Sequence, residues 1–563
     1  MDFYMTLSVL LCVLTGVLSD ADQSVEVSTK YGGLRGLRSL INGQTLVDKF
    51  LNIPYAKPPV GQLRFRAPEP PVAWRGVRDA TTLGPRCPQH AFPDMPPRLS
   101  FSDSEDCLVI NVYRPARNNS TGPLPVMLWI HGGGYYIGTA NLYDASQIAT
   151  KGVVVVAVNY RLDAFGFLCT EDDAAMGNYG LLDVIRALQW VRDVISAFNG
   201  DPNNITIFGE SAGSAMTSLL LMAKKARGLF HKAIMESGVS LTPWTVGLSR
   251  SKVQPGPLNL VKTLSEKLFC DVTDTSAMVG CLRTKDAMSI INITWEMASE
   301  FNQILFRPAI TVGRHDSLLD VTPEHALTHD QFAHVPTLRG YSKNEWARAV
   351  NDTEDDGISF EEFRQSLSIF LDHWFIVQPA FHNDMTTVID RFTRAYLPLG
   401  RQTNPKQLRQ TMIQIATDVI CIAPTLKEIE LHAQNTPEPQ YLYRFSYLPE
   451  LAMRASWQGV VHGDEMPFVF GSPFTSDLLW PQAPRNWTRD DRQEADDVMT
   501  LWTNFAKYGN PTPTAVNGIT WLPWTQATPS YLDIARPSQM RPVPNIPTVS
   551  FPASLEDPSV LVG

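Results

Sequence analysis

Long apolar runs are scarce in this chain of 563 residues. After residue 18 no stretch approaches the roughly eighteen consecutive apolar residues of a transmembrane helix, so a membrane span is not expected. Charged residues are also few, at 18%, while 44% of the residues are hydrophobic. That balance excludes a disordered protein and allows a large buried core. Because no Gly/Ser linker, charge block or repeat divides the sequence, we expect one large domain.

Positive charge is in deficit, since 47 Lys and Arg face 57 Asp and Glu and the formal net charge is −10. Nucleic acid and anionic membranes repel a protein of this charge, and we expect neither as a partner. Lys and Arg are also missing before the apolar run Met5–Leu18, which is otherwise typical of a signal peptide. A buried N-terminal helix is the alternative for this run. We predict a signal peptide over 1–19, whose removal takes Asp2 away, and a single domain over 20–563.

Cysteine is sparse, with seven residues, of which Cys12 lies in the predicted signal peptide. The C-terminus carries neither a hydrophobic anchor tail nor a retention tetrapeptide, so we expect a secreted, extracellular product. In an oxidising compartment we expect the disulfides Cys87–Cys107 and Cys270–Cys281, because each pair is separated by a short loop. Cys169 and Cys421 then remain without a disulfide partner. Glycosylation sequons fit the same compartment, and they lie at Asn118, Asn119, Asn204, Asn292, Asn351 and Asn486.

Short continuous apolar runs are present instead, and runs without alternation indicate strands covered on both faces. They are Cys107–Tyr113, Pro125–Ile130, Val153–Val158 and Ile205–Phe208. The stretch Leu181–Phe198 has helical spacing and stops before a turn. Strand, helix and strand in this order make a right-handed βαβ unit. We therefore predict an α/β fold with a large mixed, mostly parallel central sheet flanked by helices.

Other segments give weaker patterns. Residues 24–61 contain too much proline for a central strand and indicate an edge sheet with its exit loop. Asn351–Gly357 superficially suggests a calcium loop, but Phe363 then stands where a bidentate Glu is required. We favour a solvated acidic loop there. Helical patterns recur in the second half, at 258–268, 360–370 and 491–508.

One stretch joins a buried strand to a turn of small residues. Gly209–Gly213 reads GESAG, with a glycine two positions on either side of Ser211. This spacing lets the chain turn sharply from strand to helix and exposes the serine hydroxyl, as in a nucleophile elbow. The same motif also arises by chance in plain loops. A serine hydroxyl is a poor nucleophile alone, so a base, an orienting acid and an oxyanion hole must come from elsewhere.

An oxyanion hole is suggested by His131–Gly134, which reads HGGG directly after a predicted strand. Three glycines let the main chain approach another group closely and point its amides at an oxyanion, whereas a flexible turn is the alternative. The amides of Gly133 and Gly134 would act together with that of Ala212, which follows the candidate nucleophile. The two motifs together are much more specific than either alone.

His462 is the candidate base, because it lies in a loop between an apolar run and a Gly-acidic turn. Glu345 is the candidate acid, since it gives the chain order Ser, acid, His of an α/β-hydrolase. Other carboxylates are plentiful, so this choice is the hardest to make from spacing. A base of this kind predicts activity that falls as the pH drops through about 7 to 6.

Seven motifs then carry a family resemblance. They are Tyr55–Pro59, Ser104–Leu108, His131–Gly134, Asn159–Arg161, Phe208–Gly213, His462–Glu465 and Trp502–Ala506. Through them the chain resembles a type-B carboxylesterase, the family of cholinesterases, liver carboxylesterases and neuroligins, from about Val25 to Ile534. The resemblance implies an α/β-hydrolase fold and the triad Ser211, His462 and Glu345. It also implies structural ion pairs, Arg64 with Glu105 and Arg161 with Asp183, and substrate-pocket aromatics at Trp244 and Phe306.

The chain departs from the family pattern at informative places. Trp346 stands where glycine usually follows the acid, and it either crowds the site or fills a neighbouring gap. Pro97 stands where cholinesterases have the tryptophan that binds a quaternary ammonium. Proline has no aromatic face for a cation, so we expect neutral esters to be preferred over choline esters. Phe101 or Trp346 could supply a substitute ring, which leaves a cholinesterase-like activity as an alternative.

The resemblance therefore implies a secreted serine esterase that acts on small-molecule esters with neither a metal nor an organic cofactor. The rival from another class is a non-catalytic, neuroligin-like adhesion or binding protein. Such proteins typically lose a triad member, whereas the triad types are complete here. Assembly into a homodimer stays open.

Overall fold

The computed structural model describes ten ranges of the chain, which are 23–90, 101–116, 122–248, 256–301, 304–311, 313–314, 317–375, 385–397, 404–475 and 486–547. Three sequence predictions lie outside these ranges. They are the signal peptide over 1–19, the preference for neutral esters that was based on Pro97, and the sequons at Asn118 and Asn119.

The strands of the described ranges follow one another as β1 (Gln23–Thr29), β2 (Gly32–Ile41), β3 (Thr45–Pro54), β4 (Val77–Asp79), β5 (Val109–Pro115), β6 (Leu124–Ile130), β7 (Val154–Val158), β8 (Gly200–Glu210), β9 (Lys232–Glu236), β10 (Gly247–Leu248), β11 (Ala309–Ile310), β12 (Thr337–Ser342), β13 (Gln440–Phe445), β14 (Ser530–Ile534) and β15 (Gln539–Pro542). Thirteen of them form one sheet, in the order β1-β2-β3-β5-β7-β6-β8-β9-β12-β13-β14-β15 with β4 beside β2. From β7 to β14 all neighbours pair in parallel, and both edges are antiparallel. The predicted mixed, mostly parallel sheet is confirmed.

The helices of the described ranges are α1 (Ser146–Ala149), α2 (Asp163–Phe167), α3 (Tyr179–Val194), α4 (Ala212–Met222), α5 (Pro257–Lys267), α6 (Thr275–Thr284), α7 (Ala287–Phe301), α8 (Pro323–Thr328), α9 (Phe360–Phe375), α10 (Met385–Tyr396), α11 (Pro405–Thr417), α12 (Ala423–Asn435), α13 (Met466–Val469) and α14 (Arg489–Tyr508). Local chemistry sets their ends. Thr488 and Asp491 form a capping box at the start of α14, and Gly509 in a left-handed conformation ends it. In the part of the chain that is described, no helix combines the length and apolar composition needed to cross a bilayer.

The central strands are buried on both faces, as their unbroken apolar runs predict. Leu128 and Ile207 point into one apolar cluster, which α3 covers with residues such as Leu188. The alternate residues of the same strands, for example Trp129, point into a second cluster beneath α14. Helices therefore lie on both faces of the sheet, and the carboxyl ends of the parallel strands meet at one edge.

Several tertiary contacts match the sequence predictions. The disulfides Cys87–Cys107 and Cys270–Cys281 are both present, and Cys169 and Cys421 are buried thiols. The implied ion pairs are confirmed as well. Arg64 Nε lies 2.7 Å from Glu105 Oε1, and Arg161 Nη2 lies 2.6 Å from Asp183 Oδ1.

The acidic segment Asn351–Gly357 is less solvated than we predicted. Asp352 is buried and accepts a hydrogen bond from the guanidinium of Arg409 on α11, which also donates to Asp355 Oδ1 at 2.8 Å. Asp352 also accepts a hydrogen bond from Gly357 N at 3.0 Å. Part of the charge in this loop therefore ties it to α11, because a buried carboxylate needs a charged or polar partner.

Candidate active site

Ser211 is the single residue between β8 and α4. Its backbone has φ 55° and ψ −122°, a conformation that costs an L-residue roughly 1–3 kcal/mol. The flanking glycines are required by close approach. A Cβ on Gly209 would lie 2.5 Å from the carbonyl carbon of Gly213, and one on Gly213 would lie 1.9 Å from Ile130 O. The turn is therefore as tight as an elbow needs, and the Ser211 side chain stays half-exposed at its tip.

The glycine loop after β6 packs directly against this turn. A Cβ on Gly132 would lie 3.0 Å from Ser211 Cβ. Gly133 and Gly134 have φ 109° and φ 59°, which favour glycine. Within the described ranges, the amides of Gly133, Gly134 and Ala212 donate no hydrogen bond. Three N–H groups are thus available beside Ser211, and such groups can stabilise a negatively charged oxygen.

The structure brings His462 and Glu345 together. His462 Nδ1 lies 2.6 Å from Glu345 Oε2, and the other carboxylate oxygen accepts a hydrogen bond from Ser342 N at 2.6 Å. Glu345 follows β12, so its side chain lies at the same sheet edge as the end of β8. This geometry fixes the imidazole so that Nδ1 faces the acid and Nε2 faces the β8 side.

Glu210 is a site residue that the sequence analysis did not identify. His462 Nε2 lies 3.1 Å from Glu210 Oε1, and in the described part of the chain no hydrogen bond joins His462 to Ser211. Burial lowers the pKa of His462, but the carboxylates of Glu210 and Glu345 raise it to about 9, although a quarter of its side chain is exposed. Burial raises the pKa of Glu210 to about 7. The imidazole is therefore held between two carboxylates, and Nε2 must leave Glu210 to accept a proton from Ser211.

Two further carboxyl groups lie close to the candidate triad. Glu465 accepts hydrogen bonds from Ser237 Oγ at 3.1 Å and Ser342 Oγ at 3.0 Å. Glu236 accepts one from Trp502 Nε1 at 3.0 Å. Burial raises the pKa of Glu465 to about 8 and holds that of Glu236 well above its usual range. Glu465 ends the motif His462–Glu465, but the convergence of Glu236 and Glu465 joins segments too distant in sequence for spacing to reveal.

The predicted pocket aromatics lie on the α4 side of the elbow. Trp244 is buried, and its Cη2 lies 3.5 Å from a Cβ placed on Gly238, which in turn would lie 2.8 Å from Ser211 O. Phe306 is buried in the same apolar cluster, and its neighbour Arg307 donates a hydrogen bond to Trp244 O at 3.5 Å. Gly238 therefore lies between Trp244 and Ser211, and Arg307 connects the segment of Phe306 to Trp244.

Phe101 packs instead against the cluster beneath α14, on the other face of the sheet. Among the remaining sequons, Asn292, Asn351 and Asn486 are exposed. Asn204 is half-buried and accepts a hydrogen bond from Lys232. Over the ranges that the structure covers, no three His, Cys, Asp or Glu side chains are grouped so that they could hold a metal ion.

Comparison with known proteins adds relatives of two kinds. Residues 23–551 match the model of the carboxylesterase family. Neuroligin-2 of Mus musculus is 35% identical over 526 residues, which covers 86% of this chain and 60% of the neuroligin. Neuroligin-3 of Homo sapiens is 33% identical over 549 residues, with 86% and 62% covered. The chain thus spans about three fifths of the length of these relatives.

A relative of comparable length is the medium-chain fatty acyl-CoA hydrolase precursor of Anas platyrhynchos. It is 33% identical over 519 residues, which covers 89% of this chain and 86% of the relative.

Proposed function

Because the chain belongs to the carboxylesterase family, we propose that it is a serine hydrolase of carboxylic esters. Ser211 is the proposed nucleophile, His462 the base and Glu345 the acid that orients the base. The observation that carries the proposal is the strained turn at Ser211, with three amides beside it that donate to no other described group. Strain of this kind persists where function requires it, because a plain loop would relax.

In the proposed reaction Ser211 Oγ attacks the ester carbonyl as His462 Nε2 takes its proton. The amides of Gly133, Gly134 and Ala212 stabilise the oxyanion, each contributing roughly 3 kcal/mol to the transition state. His462 passes the proton to the leaving alcohol, and water then hydrolyses the acyl-enzyme by the same steps in reverse. Glu345 holds the imidazole in the tautomer that this exchange needs.

Labelling by a fluorophosphonate probe tests this assignment. We expect the purified protein to be labelled at Ser211 and to hydrolyse a short-chain nitrophenyl ester, whereas Ser211→Ala should do neither. Glu345→Gln should retain labelling at a much lower rate, because the imidazolium loses its carboxylate. Equal labelling of wild type and Ser211→Ala would refute the assignment of the nucleophile.

We further propose that the mature protein is a secreted single domain that begins after residue 19, and that neutral esters are its preferred substrates. The second proposal is based on Pro97, which cannot bind a quaternary ammonium as an aromatic ring does. The name of the duck relative adds acyl thioesters as substrates to examine. The preference is tested by comparing kcat/KM for acetylthiocholine with kcat/KM for an uncharged thioester of matched size. A kcat/KM tenfold in favour of the cation would contradict the preference.

A second candidate function is binding without catalysis, in the manner expected of neuroligins. Two observations favour it, namely the neuroligin relatives at 33–36% identity and the position of His462 Nε2 on Glu210 instead of Ser211. The two candidates differ in a direct readout. A folded protein that neither reacts with the probe nor hydrolyses esters from pH 6 to 10 would favour the binding function.

A further inference from the structure

Trp346 places an aromatic ring beside the candidate base. It follows Glu345 directly, and its ring meets that of His462 edge to face, with centroids 5.8 Å apart and planes at 69°. Trp346 is half-buried and packs against the larger apolar cluster. Of the two readings left open for this residue, crowding the site or filling a gap, the contact with His462 favours a role in the site.

The backbone on both sides of this contact is held by hydrogen bonds. Asn344 N donates to Val460 O at 2.8 Å, and His462 N donates to Glu345 O at 3.3 Å. Trp346 N donates to Thr417 Oγ1, the last residue of α11, at 3.4 Å. The indole is thus held beside His462 by three segments that are tied together.

The charged groups around His462 come from several elements. Glu210 ends β8, Glu345 follows β12, and Glu465 lies on the same loop as His462. Burial lowers the pKa of His462, and these three carboxylates raise it. In the segment that follows α11, burial and the same three carboxylates raise the pKa of Cys421, and burial raises that of Asp418 to about 6. An imidazolium whose edge approaches the face of an indole is attracted by the negative charge of that face, as it is by nearby carboxylates.

We propose that Trp346 is a positioning residue whose ring contact with the imidazole of His462 stabilises the protonated form of His462 during ester hydrolysis. This inference rests on the proposed function. As Ser211 attacks, its proton moves to His462 Nε2, and positive charge develops beside the indole. The attraction is therefore stronger in the transition state than in the ground state, so that it raises kcat with little effect on KM.

Two substitutions distinguish the effect of the aromatic ring of Trp346 from the effect of its size. Trp346→Leu fills the space without an aromatic face, and Trp346→Phe keeps a ring. With a nitrophenyl ester we expect kcat on the high-pH plateau to fall about tenfold in Trp346→Leu, with KM within about twofold. The lower limb of the pH profile should move about one unit to lower pH, because the imidazolium has lost a stabilising contact. Trp346→Phe should keep most of the wild-type kcat and most of the wild-type position of the lower limb.

Trp74→Leu is the matched control, since it removes a half-buried tryptophan at the β1–β2 edge of the sheet. It should leave the pH profile unchanged. A wild-type profile in Trp346→Leu would show that the residue only fills space and would overturn the proposal. A higher KM at unchanged kcat would also overturn it, because Trp346 would then line the substrate site.

A titration by NMR keeps this inference distinct from the proposed function. With ¹³C-labelled histidine, and with His462→Gln to assign the signal, the imidazole of His462 should titrate at lower pH in Trp346→Leu than in wild type. This readout needs no turnover. A shifted titration in a protein without esterase activity would overturn the proposed function and support the contact, whereas an unshifted titration would overturn the contact.

Discussion

At the scale of single residues, Ser211 holds a strained conformation that suits the proposed chemistry and costs the fold stability. Glycine adopts φ 55° and ψ −122° without the strain that a Cβ brings, at a smaller cost in chain entropy. We therefore expect Ser211→Gly to raise the free energy of unfolding by about 1 kcal/mol relative to Ser211→Ala. Both variants should lose at least about a thousandfold in kcat/KM. Chemical denaturation of the two variants, side by side, makes the measurement, and equal stability would mean that Ser211 is not strained.

In the proposed mechanism, Glu210 affects the pH at which His462 can act as a base. A base must be neutral, so the rate rises as the pH increases through the pKa of His462, which lies at about 9 and not in the range of 6 to 7 that the sequence suggested. Glu210→Gln removes one carboxylate and lowers that pKa. We expect the lower limb of kcat/KM against pH to move about one unit or more to lower pH.

The matched control for Glu210 is Glu354→Gln, an exposed carboxylate in the loop before α9. Its profile should coincide with that of the wild type. If the lower limb of kcat/KM against pH is the same in Glu210→Gln and wild type, that limb reflects the titration of a group other than His462. The pairing of Glu210 with His462 would then have no kinetic consequence.

At the scale of elements, the glycine loop between β6 and α1 shows how backbone conformation presents the amides. A Cβ on Gly133 would lie 2.0 Å from Ile137 O, and the residue has φ 109°. Gly133→Ala must therefore displace the loop, and we expect kcat to fall about a hundredfold or more through loss of the oxyanion donors. Gly228 provides the control, with φ 71° and no atom within 4 Å of an added Cβ. Gly228→Ala should keep near wild-type activity in the same assay, and similar losses in both variants would point to general destabilisation.

At the scale of the whole molecule, the exposed surface decides which sequons a secretory pathway could modify. Asn292, Asn351 and Asn486 are exposed, while Asn204 is half-buried and bound to Lys232. For protein secreted from eukaryotic cells we expect enzymatic deglycosylation in H₂¹⁸O to label the three exposed sites and not Asn204. Label at Asn204 would contradict the half-buried position of that residue, and absence of label at the three exposed sites would show that exposure alone does not decide which sequons are modified.

Much of the fold could be predicted from local sequence patterns. The run Val154–Val158 is continuous and apolar because a central parallel strand is buried on both faces, and the spacing of Gly209 and Gly213 follows from the packing of the elbow against β6. The short Cys270–Cys281 loop likewise pointed to its own disulfide. The strand β12 was not predicted, because Arg339 and Gly340 interrupt its apolar pattern. Arg339 is fully buried there, with Nη1 3.7 Å from Glu428, a partner 89 residues away that no local pattern reveals.

Local patterns therefore predicted the turn at Ser211, the glycine loop and several central strands, since each depends on the conformation or burial of neighbouring residues. The environment of the base was beyond them. His462 meets Glu345 across 117 positions, and it meets Glu210 and Trp346 through contacts that exist only when three segments converge at one sheet edge. Its pKa depends on burial and on the sum of those charges. Electrostatics of this kind is set by distance in space, which the order of residues along a chain does not encode directly.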